Sequence, residues 1–108
     1  MIFPVRRYPA FLGSETGITK PEDSRFHVIP VPCEKTVSYG RGTANGPSAI
    51  LSASWQLELF DGESIPAAAG IFTRRPVSCT GRYERILDRI ETAADDVLSL
   101  GKIPVILG

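Results

Sequence analysis

The stretch RYERILDRIETAADDVLSLGKIPVILG, Arg82 to Gly108, decides the fold. Tyr83, Ile86, Leu87, Ile90, Ala93, Ala94, Val97 and Leu98 recur at spacings of three and four, while Arg85, Asp88, Arg89, Thr92, Asp95 and Asp96 take the other positions. At about 3.6 residues per turn, that pattern predicts an amphipathic helix over 82–100 with one apolar face. Thr80 or Gly81 is placed to cap its start, and Gly101 to adopt the left-handed conformation that ends it. Ile103-Pro104-Val105-Ile106-Leu107 follows at once. Apolar at every position, it predicts a parallel strand covered by helices on both faces.

Upstream, Arg25 to Val31 carries Phe26, Val28, Ile29 and Val31 and is bounded by Pro32, which predicts a first strand. After a Gly-rich loop, Gly46-Pro47 fits an N-cap followed by proline at the first helical position, where the missing N–H costs nothing. A helix from Pro47 to about Leu57 follows, with Ile50, Leu51, Trp55 and Leu57 available for burial. Ser64 to Ala69 reads as a loop because of Pro66, and Gly70 to Thr73 as a second, weaker strand. Residues 1–24, with Pro4, Pro9, Gly13, Gly17 and Pro21, read as an irregular arm. Strand, helix, strand, helix, strand in that order predicts a layered α/β fold with a mainly parallel sheet.

Twelve basic and twelve acidic side chains balance to zero among 108 residues, so the electrostatic footprint of a nucleic-acid binder is missing. The longest apolar stretches fall far short of the roughly 20 residues needed to cross a bilayer. No apolar segment follows Arg6-Arg7, so a signal peptide is not expected and a cytoplasmic location is. Cys33 and Cys79 lack CxxC spacing and read as reduced thiols that behave as small hydrophobes. His27, the one histidine of the chain, reads as a packed or solvent-facing ring, because a metal ligand or a base needs partners.

By spacing alone no catalytic constellation is visible: GxGxxG, Walker, HExxH and GxSxG patterns are all missing. Ser38-Tyr39-Gly40-Arg41-Gly42 resembles a phosphate cradle only loosely, since Asn45-Gly46-Pro47-Ser48 stands where Gly-Lys-Ser would be, and Pro47 removes a donor. The acidic pairs Asp61/Glu63 and Asp95/Asp96 read as solvated.

Taken together, three segments carry a resemblance. Val28-Ile29-Pro30-Val31-Pro32 leads through Thr36-Val37-Ser38-Tyr39-Gly40-Arg41-Gly42-Thr43 to Gly46-Pro47-Ser48-Ala49-Ile50, and this succession resembles the N-terminal signature of the ureohydrolases. Within that arginase and agmatinase family it is most similar to the bacterial agmatinase branch. Leu57-Glu58-Leu59-Phe60-Asp61 is similar to the acidic, leucine-rich stretch after the family's first helix. Gly101-Lys102-Ile103-Pro104-Val105-Ile106-Leu107-Gly108 looks like the strand that runs into its Gly-Gly-x-His motif.

The resemblance implies that 25–108 is the first part of a three-layer α/β/α domain that stops before the metal-binding motifs. It implies two manganese ions in the complete enzyme, none bound by this chain, and hydrolysis of a guanidino compound to an amine and urea. Agmatine would give putrescine; guanidinobutyrate or formiminoglutamate are alternative substrates. A homo-oligomer and an inactive isolated 108-residue piece are the accompanying expectations. None of these residues matches a metal ligand of the family, His27 included. Ser38, Tyr39 and Arg41 are the residues expected on a substrate-side loop; the plainer alternative, that its glycines only permit tight turns, stands beside it. A different class also remains open: a non-catalytic α/β module that self-associates through its free sheet edge and the helix bearing Trp55.

Overall fold

The computed structural model describes residues 8–13, 20–34 and 42–108. Five main elements follow one another: β1 (Phe26–Pro30), α1 (Gly46–Ala53), β2 (Ile71–Thr73), α2 (Tyr83–Ser99) and β3 (Ile103–Leu107). The three strands form one parallel sheet in the order β2-β1-β3. Phe26 stands opposite Ile71 on one side and Ile103 on the other, so the first strand of the chain becomes the middle of the sheet.

That central position explains the composition of β1. Neighbouring residues of a strand point to opposite faces, and His27, Val28, Ile29 and Pro30 are all buried, so both faces of β1 are covered. Ile29 is wholly inaccessible and packs with Val31, Val77 and Val97 of α2, flanked by Ile90, Ala93 and Ala94. Burial of a side chain of that size contributes roughly 1.5–3 kcal/mol. The α2 stripe expected from the sequence is thus used, but only along part of its width. Ile86 and Val97 are buried, whereas Tyr83, Leu87 and Leu98 lie on the exposed flank.

The ends of α2 follow simple backbone chemistry. Arg82, in extended conformation, is the N-cap and contributes no side-chain capping bond, so the cap lies one residue beyond the expected Gly81 and two beyond the expected Thr80. At the other end Gly101 has φ +74°. Its N–H reaches the Leu98 carbonyl at 2.9 Å, and the Lys102 N–H reaches that of Val97 at 3.2 Å. This paired arrangement satisfies carbonyls that the end of a helix leaves open.

Several boundaries differ from the sequence expectation. α1 starts with Asn45 as N-cap and ends at Ala53, passing into a 3-10 turn at Ser54–Gln56, so Leu57 is outside and half exposed. Pro66–Ala69 is a 3-10 turn rather than a loop: Pro66 presets φ at its first position, and Gly70 leaves it at φ +89°. β3 carries the apolar residues expected of a strand covered on both faces, and the free sheet edge expected of three strands with two helices falls on it: among the described residues it is an edge strand, with Ile103 at 40%, Val105 at 38% and Ile106 at 48% exposure. β1 and α2 lie against it.

Upstream of β1 the described backbone has a 3-10 turn at Pro21–Asp23 as its one regular element. Residues 10–13 are nonetheless held in place. The Leu12 N–H donates to Ser54 Oγ at 2.8 Å, the Phe11 N–H to Thr73 Oγ1 at 2.9 Å, and Trp55 Nε1 to the Ala10 carbonyl at 2.8 Å. Trp55 is therefore committed to the arm. Among the described residues, no helix is long and apolar enough to cross a membrane.

Candidate functional site

In an open parallel sheet the chain leaves each strand at the carboxyl end, and side chains that act on a ligand collect there. Three segments leave at that end: Val31–Glu34 after β1, Arg74–Thr80 after β2, and Gly108 after β3. Main-chain bonds lock them together. The Val31 N–H donates to the Leu107 carbonyl at 2.7 Å, the Val77 N–H to the Pro30 carbonyl at 2.9 Å, and the Arg74 N–H to the Val28 carbonyl at 2.8 Å.

Glu34 closes the loop that follows β1. Its Oε1 accepts from the Gly42 N–H and, at 3.5 Å, from the Ala44 N–H, so a carboxylate bridges the two described ends of that loop. Gly42 has φ +103°, which permits the tight approach. Ser38, Tyr39 and Arg41, the expected substrate-side residues, lie outside the described residues.

His27 is fully buried, its ring 5.3 Å from that of Phe72 and tilted by 56°. Nε2 lies 2.9 Å from the Pro21 carbonyl oxygen, an acceptor, and Nδ1 lies 3.3 Å from Arg74 Nη1, a donor. The two partners together select the neutral tautomer with the proton on Nε2. Both ring nitrogens are committed.

Alongside lies an open groove of about 770 Å³ between β2 and α2, into which Arg74, Arg75, Arg85, Arg89, Asp88 and Asp96 all project. Arg89 is spent on the backbone, its Nη1 donating to the carbonyls of Ser78 at 3.0 Å and Thr80 at 2.7 Å. Cys33 in the segment after β1 and Cys79 in the segment after β2 pack against one apolar cluster. Burial, then the neighbouring Cys33, pushes the Cys79 thiol up from its ordinary value, with Arg89 opposing. No sequence signature announces either pairing.

No group of three or more His, Cys, Asp or Glu side chains able to hold a metal exists among the described residues. The donor set of the described residues therefore does not fit a two-metal centre, which needs several such ligands around a shared oxygen.

Comparison with known proteins gives the relationship. The profile described as the arginase family matches residues 24–108. The chain belongs to the arginase family. Its arginase-family relatives include an N(1)-aminopropylagmatine ureohydrolase of Synechocystis sp., 41% identical over 76 residues, which cover 68% of this chain and 24% of that protein. A Thermus thermophilus protein of the same name is 38% identical over 90 residues, covering 81% of this chain and 31% of the relative. The chain thus spans about a quarter to a third of the length of these curated relatives. Among solved structures, the agmatine ureohydrolase of Thermoplasma volcanium superposes with a TM-score of 0.71 at 24% identity, over 99% of this chain and 35% of that one. That likeness establishes the arginase-like α/β fold, and the small parallel sheet with its helices corresponds to part of it.

Proposed function

We propose that the chain is part of a ureohydrolase that cleaves the guanidinium group of an agmatine-type amine. In such a reaction water adds to the guanidinium carbon and the C–N bond to the alkyl nitrogen breaks. The products are urea and an alkylammonium ion, which conserves both atoms and the single positive charge. The observation that carries the reading is the family match over 24–108, joined to relatives at 38–41% identity that are named for this chemistry.

Two substrates of one class stand close together. The names of the sequence relatives favour agmatine carrying an aminopropyl group, and the sequence resemblance favours agmatine itself, with putrescine as product. Either one presents a guanidinium at one end of a flexible cationic chain. The two manganese ions that the resemblance implies require ligands outside the described residues, and no step of the reaction is assigned to His27, whose ring nitrogens are both occupied. The described portion contributes the carboxyl edge of the first three strands and the Glu34 clasp, which form a wall and hold a loop.

The experiment is colourimetric urea release with each amine, on the chain expressed together with the coding sequence that follows it. Turnover of either amine supports the reading, and the ratio of kcat/KM values selects the substrate. Absence of urea from both, in protein loaded with manganese, overturns it. The 108 residues expressed alone are expected to release none.

A further inference from the structure

We propose that Cys33 and Cys79 form a dithiol site that a low-molecular-weight disulfide of the glutathione type oxidises to an intramolecular disulfide. The inference is independent of the proposed hydrolysis.

Geometry carries it. The Val77 N–H is bonded to the Pro30 carbonyl at 2.9 Å, which sets the segment after β2 against the segment after β1. Cys33 stands three residues beyond one anchor and Cys79 two beyond the other. The Cys33 N–H turns back to the Val31 carbonyl at 2.9 Å, and the Cys79 thiol donates to the Val77 carbonyl at 3.6 Å. These local turns bring both side chains onto one cluster, Ile29, Val31, Val77 and Val97, so the two thiols share a single packing site. Both are free and only partly covered.

The chemistry has an order. Burial and the neighbouring Cys33 push the Cys79 thiol up, which lowers its share of thiolate, the attacking species. Cys33 therefore attacks the reagent RSSR, forming a Cys33–S–S–R mixed disulfide and releasing RS⁻. Cys79 then gives up its proton and displaces the second RS⁻ from the Cys33 sulfur. Two thiols are oxidised, one RSSR is reduced to two RSH, and atoms and electrons balance. The product ties the loop after β1 to the connector that leads into α2.

The test is oxidised glutathione added to the natively folded chain, expressed with the coding sequence that follows it, then acid quench, alkylation and non-reducing mass spectrometry. The expected wild-type product lacks two hydrogens, carries no glutathione on Cys33 or Cys79, and yields a Cys33–Cys79 cross-linked peptide that dithiothreitol releases. Cys79→Ser should instead stop at a persistent glutathione adduct on Cys33. A stable adduct on wild-type Cys33, or both thiols alkylated in full after oxidant treatment, would overturn the proposal. Since the first readout uses unmutated protein, a folding defect in the variant does not blunt it.

Discussion

Nη1 of Arg74 lies 3.3 Å from Nδ1 of His27, a contact between side chains 47 positions apart in sequence. An arginine has no acceptor to offer, so the ring must accept there and donate from Nε2 to the Pro21 carbonyl. A single imidazole thus links the turn before the sheet, the central strand and the connector after β2. His27→Phe keeps an aromatic ring beside Phe72 but is somewhat larger and leaves a carbonyl and a guanidinium without this partner. Unpaired groups of this kind cost about 1–3 kcal/mol. The expected outcome is a lower urea-denaturation midpoint at an unchanged slope, and an unaltered midpoint would contradict the role.

Ile86 and Leu87 are adjacent on α2 yet differ in environment, at 2% and 48% exposure. Ile86→Ala should destabilise by about 2–5 kcal/mol, the range for truncating a buried aliphatic side chain. Leu87→Ala should cost less than about 1 kcal/mol. Thermal unfolding of the pair checks the contrast, and equal losses would show that the exposed flank of α2 is covered in solution.

Gly101→Ala puts a side chain on a residue at φ +74°, where no neighbouring atom lies within 4 Å of the new Cβ. The penalty is therefore conformational, about 1–2 kcal/mol. Amide exchange should accelerate at Gly101 and Lys102 first, because their N–H groups make the closing bonds of the helix.

Asp61 accepts from the backbone N–H groups of Ser64 at 2.7 Å and Glu63 at 2.9 Å, and these bonds hold its carboxyl below the ordinary carboxylate value. A depressed folded-state pKa means that the turn gains stability above the unfolded carboxylate value and loses it as pH falls through the folded one. NMR titration should show the Ser64 amide shifting in step with the Asp61 carboxyl, and Asp61→Asn should remove that acid transition.

β3 presents Ile103, Val105 and Ile106 along an edge that no strand covers among the described residues. Expressed as 108 residues, the chain should bind a hydrophobic dye and associate at high concentration. Ile106→Lys should lessen both, as seen by dye fluorescence and light scattering.

How much of this was legible in the sequence depends on the range of the interaction. α2 and β3 could be read because their periods, 3.6 and continuous apolarity, are local properties of the chain. The exposure of β3 could be read too, from the element count rather than from the run itself: three strands with two helices leave a sheet edge and apolar surface without a partner. Pro104 offered a hint, since a proline inside a strand favours an edge. The Ile103 N–H points to the Arg25 carbonyl, so the N–H that Pro104 lacks would have faced the open side. The Pro66 turn was missed because proline and alanines over four residues fit a loop as well as a 3-10 turn. The contacts at the sheet end had no signature at all. His27 finds a carbonyl and an arginine, and Cys33 finds Cys79, only once strand register has brought distant segments together.

The order β2-β1-β3 also sets a schedule for the growing chain. Phe26 is opposed by Ile103, which emerges 77 residues later in the sequence. At translation rates of 5–20 residues per second, that gap lasts about 4–15 s. The innermost strand is therefore among the first parts made and among the last to be enclosed. During the wait one flank of β1 is bare, and a chaperone that recognises short apolar segments has its longest opportunity there.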